Sequence, residues 1–203
     1  MQIDPSKLNE QEKYKMLIGS ILPRPIAFVS TKGKSCNNVA PFSFFTCVSV
    51  NPPMIGFTAM PGPYGDKDTL RNIRKTGEFV VNIVSKNFVD KVSDASIDSP
   101  PEISEFELVG LHEKKSMMVQ PPSVAESKIQ FECKLHKIVE LGKGPDSFII
   151  GEVVLFQVDE DILMDRYRIQ WEGLEPVGRM AGNLYAICEN VISIKRKRYQ
   201  GLK

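Results

Sequence analysis

A chain of 203 residues, 42% hydrophobic and 25% charged, is long enough to bury a core and has the composition of an ordinary globular protein. Its 26 Lys and Arg against 25 Asp and Glu leave a net charge of +1, without the basic excess that a nucleic-acid partner requires. No apolar run reaches the roughly 18 residues of a membrane span, and the polar N-terminus lacks the apolar stretch of a secretory signal, so a cytoplasmic protein without a membrane partner is expected.

Residues 8–22 read as a short helix leading into the first strand. Pro23 and Pro25 bar a helix beyond it, so "PRPIAFVST" is extended. The β-branched and aromatic residues of 26–31 make a strand. "KGKS" is its turn, with Gly33 expected at a positive φ. Residues 37–50, "NNVAPFSFFTCVSV", pair back as a second strand, and residues 54–59 form a third after Pro52 and Pro53. "DKDTLRNIRKTG" is the clearest helix in the chain. Asp66, Asp68 or Thr69 caps it, Leu70 and Ile73 form its buried stripe, and Gly77 ends it. Residues 78–84 make a mostly buried strand. Ser85 is then expected to cap a second helix that turns Phe88, Val89, Val92 and Ala95 inward.

Residues 98–120 read as mostly irregular, apart from a helical turn in "EISEFELVG". Alternation returns at "KIQFECKLHK". Ile129, Phe131, Cys133 and Leu135 point one way, and Lys128, Gln130, Glu132, Lys134 and His136 the other, as in a half-exposed antiparallel strand. Residues 147–158 form another strand, in which Gly151 marks a bulge or a close backbone approach. A last strand begins at Tyr185, and the basic "KRKRY" of 195–199 reads as a solvated tail. Such strands with two short helices and no βαβ alternation predict a mainly β fold, a β-barrel with short helices, as one domain over residues 1–203.

The sequence is poor in catalytic side chains. Its two histidines, His112 and His136, lie in a loop and on a polar strand face, and no GxSxG elbow accompanies them. The cysteines 36, 47, 133 and 188 form no CxxC pair, so neither a metal nor a redox dithiol is expected. There is no GxGxxG and no Walker loop. Two segments stand out instead. In "GDKDTLRN" a helix start brings Lys67, Asp68 and Thr69 together, which either hold a phosphate or simply cap the helix. In residues 37–50 aromatic and β-branched residues stand among short hydroxyl-bearing ones. Asn38, Ser43, Thr46 and Ser49 either satisfy neighbouring backbone or meet the polar edges of a planar, amphipathic ligand such as a flavin.

The segments "LPRPIAFVST", "NVAPFSFFTCVSVNPP", "KDTLRNIRKTGEFVVNIV", "PPSVAESKIQFECKL", "IIGEVV" and "EPVGRMAGNLYA" stand in the order found in the flavin reductase-like family. The sequence resembles the flavoredoxin-type branch of that family across residues 19–186. The resemblance implies an FMN-binding split barrel and a homodimer with FMN near the subunit interface. It also implies electron transfer through FMN, from NAD(P)H or from a redox partner protein. FMN contacts carried over in this way are Asn37, Asn38, Val39, Ala40, Pro41, Ser43 and Phe44, then Thr58, Ala59 and Met60, then Lys67, Asp68 and Thr69. Arg24 is a further candidate, with a surface ion pair as its other reading. The segment holding Arg179, Gly182 and Tyr185 matches the donor side, where Arg179 either meets a phosphate of NAD(P)H or pairs with Glu172 or Glu175. One departure stands out: many two-component reductases carry a histidine where this chain has Asp146. No catalytic side chain is expected, because the cofactor supplies the chemistry. Cys47 is expected to pack as a small apolar group beside the ring.

Overall fold

The structure is a computed structural model that describes residues 1–63 and 65–196. Helix α1 spans Glu10–Ser20 and opens with a reciprocal cap, in which Asn9 Oδ1 accepts from Glu12 N and Glu12 Oε2 from Asn9 N, both at 2.9 Å. It stops at Ser20 because Ile21 is already extended ahead of Pro23. The chain continues through β1 (Arg24–Pro25), β2 (Ala27–Lys32), β3 (Asn37–Phe42), β4 (Phe45–Val50) and β5 (Pro53–Ala59). Helix α2 (Asp68–Thr76) ends on Gly77 at φ 69°, the left-handed cap expected of that glycine, and leads into β6 (Glu78–Ile83). Next come the short helices α3 (Val89–Asp94) and α4 (Glu105–Leu108) and a ribbon of β7 (Glu113–Lys114) with β8 (Ser123–Val124). The long strands β9 (Ile129–Leu141) and β10 (Asp146–Val158) follow.

Seven strands form one antiparallel sheet in the order β3-β2-β6-β9-β10-β5-β4. The sheet curls until Phe42, on an edge strand, meets Phe57 near the far edge, with ring centroids 4.9 Å apart. Phe79 packs edge-on against Phe57 at 5.7 Å. Around these rings lie Ala27, Val29, Ile55, Val81, Cys133 and Ile149, with Leu70 and Ile73 of α2 packed against them. Burying a phenylalanine such as Phe57 stabilises the fold by about 2–3 kcal/mol. A second apolar layer joins Phe28 and Val39 to Phe88, Val92 and Phe106 of the helical segments. Strand β2 is therefore buried on both faces, which explains its unbroken apolar run.

Several expectations are corrected. Residues 37–50 are not one strand: β3 pairs with β2, whereas β4 pairs with β5, and the chain turns at Ser43 and Phe44. The turn is fixed by Thr58 N donating to Phe44 O at 2.9 Å. Gly33 is not at a positive φ. It is required by crowding, since a Cβ there would lie 2.4 Å from Cys36 O. No side chain caps α2, because Thr69 turns to Asn38 instead. Ser85 does not cap the next helix either; its hydroxyl donates to Asn87 Oδ1. The polar face of β9 is not exposed at Gln130 and Glu132, both fully buried. Residues 116–124 fold across that face, and the Glu132 carboxylate accepts from Met117 N and Met118 N.

Gly151 combines both features expected of it. The ladder shifts register there, and a Cβ would sit 2.3 Å from Phe79 Cζ. The strand from Tyr185 stops at Ile187. It joins β1 and the strand Val177–Arg179 in a separate small sheet. Beyond it Val191, Ile192 and Ile194 are exposed. Of the basic tail, residues 197–199 lie outside the described residues.

Candidate functional site

Asn38 stands where β3 meets α2, and its buried side chain is held from both sides. Its Nδ2 donates to Glu105 Oε2 at 2.8 Å, while its Oδ1 accepts from Thr69 Oγ1 at 2.9 Å and from Thr31 Oγ1 at 3.3 Å. Glu105, only 4% exposed, also accepts from Val39 N and Ser99 Oγ. A buried carboxylate needs such donors to offset its lost hydration. The network welds together two segments that lie 31 residues apart in sequence.

Above this junction opens a cleft of about 420 Å³, lined by Asn38, Ala40, Lys67, Asp68, Thr69 and Arg71, and closed by residues 97–101 and Glu105. The volume suits a small-molecule site. The start of α2 on its wall has no side-chain cap, which leaves first-turn N–H groups for an anion. The nearby cations are already engaged. Lys67 Nζ is 2.8 Å from Asp98 Oδ1, Arg71 binds Asp68 and the Asp66 carbonyl, and Arg74 binds Asp66 and Glu140. These pairs are partly exposed and therefore individually weak. The donor set fits a phosphate provided that Lys67 exchanges Asp98 for it.

At the far end of β3, Arg24 is 5% exposed. Among the described residues it forms no ion pair. Its Nη1 donates to Ile18 O at 2.6 Å and Ile21 O at 3.1 Å, its Nη2 to Met180 O at 3.0 Å, and its Nε to Ser43 Oγ at 3.3 Å. Burial, and to a smaller extent the charge of Arg179, draws the Arg24 guanidinium below its usual pKa, although it stays charged. Arg179 faces Arg24 in register across the small sheet. It pairs with neither Glu172 nor Glu175 among the described residues; its Cζ lies 4.5 Å from the Tyr185 ring centroid, and its Nη1 is buried without a partner. Gly182, at φ 61°, turns the hairpin that returns the chain to Tyr185.

The structure distributes the remaining candidates unevenly. Asn38 and Ala40 line the cleft, but strand alternation puts Asn37, Val39 and Pro41 on the opposite face. There Asn37 Nδ2 binds Glu113, and the Val39 side chain is in the second core. Ala59 is buried in the barrel core, and Thr58 and Met60 are half-buried. Ser43 and Phe44 form the corner beside Arg24. Thr46 and Cys47 are exposed on edge strand β4, and among the described residues Cys47 has no protein packing around it in the single chain. Burial pushes the Cys36 and Cys133 thiols up, further raised at Cys36 by Glu105 and other acids. His136 is exposed, and His112 makes a surface contact with Glu126 at 2.8 Å. Sequence reasoning missed Glu105, Asp98 and Arg71. Glu105 sits in a segment without periodicity, and the signal for Arg71 was absorbed into the helix pattern.

Comparisons with known proteins identify the family and the fold. Residues 18–171 match the family described as flavin reductase like domain. An uncharacterised protein of Halalkalibacterium halodurans is 44% identical over 97% of this chain and 96% of its own length. The crystal structure of nitrilotriacetate monooxygenase component B from Bacillus cereus is 37% identical, covers 96% of this chain and 98% of its own, and superposes with a TM-score of 0.92. That of Pseudomonas fluorescens 2-nitrobenzoate 2-nitroreductase NbaA is 30% identical over 97% and 96% of the two chains, with a TM-score of 0.89. The architecture is the split barrel of flavin reductase structures.

Proposed function

The chain belongs to the flavin reductase-like domain family, and from that membership we propose that it is an FMN-holding oxidoreductase that passes electrons from NAD(P)H or another donor through the flavin. The observation that supports this most is the joining of Asn38 to Thr69 on one wall of the cleft, because two segments matched to FMN contacts become one surface. Lys67 and the uncapped start of α2 would hold the phosphate, with Asp68 and Thr69 beside them. Asn38 and Ala40 would border the rest of the ligand, and the corner at Ser43 and Phe44, with Thr58, Ala59 and Met60 behind it, would border the ring. When bound, FMN supplies the redox chemistry. The residues of the chain bind it, orient it and exclude water, and none of them needs to move a proton.

The hairpin with Arg179, Gly182 and Tyr185 is the surface we assign to the molecule that exchanges electrons with the flavin. A homodimer is part of the same reading. Tyr14 and Leu17 on α1, Ile21 just beyond it, and Val48 and Val50 on β4 are exposed, and apolar surface of this kind marks an interface. We take the chain as one domain over residues 1–203, working in the cytoplasm; among the described residues no helix is long and apolar enough to cross a membrane. The test is the absorbance of the purified protein with added FMN, followed by anaerobic reduction with NADH and with NADPH. Absence of FMN binding overturns the proposal. A second reading, an electron carrier reduced by a protein partner, is favoured by Asp146 at the position of the donor-side histidine. Bound FMN that neither nicotinamide reduces would select it.

A further inference from the structure

The corner formed by β1 and the strand Val177–Arg179 holds two guanidinium groups and, among the described residues, no carboxylate partner. Arg24 gives all its observed hydrogen bonds to neutral oxygens: three backbone carbonyls and Ser43 Oγ. Arg179 makes no ion pair among the described residues, and its Nη1 is enclosed without an acceptor. The charges stand in register, Arg24 opposite Arg179, close enough for each to feel the other. Two like charges side by side are unfavourable, and an enclosed donor without an acceptor is destabilising. The two arginines differ in what they can do about it. Arg24 is fixed by its bonds to α1, to the corner at Ser43 and to Met180. Among the described residues Arg179 is held by stacking on Tyr185 alone. A guanidinium has a planar array of donors matched to a carboxylate or phosphate.

We propose that Arg179 is an oxyanion-binding residue, and that the small molecule exchanging electrons with the protein is recognised here by a carboxylate or phosphate group. Arg24 acts as a positioning residue: it ties down the hairpin and adds positive charge without touching the ligand. The Tyr185 ring keeps the Arg179 guanidinium stacked until an anion draws it into a new arrangement. This inference rests on the flavin reading for the ligand's role, but the anion site itself is measurable without it. It is separate from the Lys67 end of the cleft, where the cations have acidic partners.

The test uses the full chain saturated with FMN, so that the Lys67 end is filled, and follows binding of benzoate and of inorganic phosphate by calorimetry. Arginine side-chain NMR signals are followed in parallel. Both the parent protein and Arg179→Lys should bind at least one anion, with Arg179→Lys weaker. Arg179→Gln should bind it about tenfold less tightly or worse, the loss of one charge-assisted hydrogen bond. FMN affinity should be unchanged in both variants. Tighter benzoate binding identifies a carboxylate source, and tighter phosphate binding a phosphate source. Binding of NADPH that exceeds that of NADH in the parent, with the preference lost in Arg179→Gln, specifies the nucleotide phosphate. Anion binding equal in the parent and in Arg179→Gln overturns the proposal, as does no binding at all. If Arg179→Gln fails to fold, the Arg179 signal in the parent decides: a shift on benzoate or phosphate addition supports the site, and none overturns it. If FMN does not bind but the anion does, the flavin reading fails and the anion site stands.

Discussion

At the Asn38 end of β3 the cations are exposed and matched: Lys67 lies on Asp98, Arg71 on Asp68, and Arg74 on Asp66 and Glu140. At the Ser43 end the arginines are more enclosed and unmatched, with Arg24 bonded to carbonyls and Arg179 lying on an aromatic ring. Exposed pairs are worth at most about 1 kcal/mol each, so the first end can exchange partners with little loss of stability. At the second end Arg24 cannot. There one guanidinium joins α1, the corner between β3 and β4, and the hairpin. The difference separates a surface arranged for ligand exchange from a knot that shapes the site.

Breaking the knot should have the largest effect. Arg24→Ala leaves carbonyls of Ile18, Ile21 and Met180 without their donor and should destabilise the protein by on the order of 3 kcal/mol, read from urea unfolding. A loss below about 1 kcal/mol would mean that water replaces those bonds and that the corner is not a knot. Next in size is Glu105→Gln. Asn38, Val39 and Ser99 all donate to this carboxylate, and an amide would turn a donor toward one of them. A loss of about 2 kcal/mol in stability is expected, together with weaker FMN binding. Unaltered FMN affinity would detach the Asn38 amide from the ligand site. Lys67→Ala should leave stability nearly unchanged and weaken FMN by about 1.5 kcal/mol, one charge-assisted contact. Unchanged affinity in a fluorescence titration would remove Lys67 from the phosphate end.

What the sequence revealed and what it hid follow from the range of the forces involved. Gly77 ends α2 by a local backbone requirement, so it was legible, as was β2 with its apolar residues on both faces. The break at Ser43 and Phe44 was hidden. Apolar and hydroxyl-bearing residues run on across it without a glycine or proline, and only the pairing of β4 with β5 bends the chain there. Residues 37–50 supply two strands of the large sheet rather than one, and the strand at Tyr185 belongs to the small sheet. Glu105 was invisible because its partners come from two other segments, β3 and the loop at Ser99. Asn37 came with Asn38 from the resemblance of the whole strand; alternation turns its side chain away from the cleft, toward Glu113.

The smallest predicted effect is also the sharpest test of the exchangeable end. In Asp98→Asn the Lys67 ammonium loses its partner at 2.8 Å, and the cleft loses a negative charge. The pair is 32% and 41% exposed, so solvent screens it and folding stability should scarcely change. A phosphate dianion entering the cleft would no longer compete with a carboxylate for Lys67. FMN affinity should therefore rise by up to about fivefold, roughly 1 kcal/mol. The gain should shrink as salt is added, because surface charges are screened beyond about 8–10 Å at physiological ionic strength. In a Lys67→Ala background the same substitution should do little, since Asp98 acts through the freed ammonium. The non-additivity of the double mutant measures that coupling. If Asp98→Asn weakens FMN instead, Asp98 is helping to order residues 97–101 for the ligand, and the pair with Lys67 is part of the finished site.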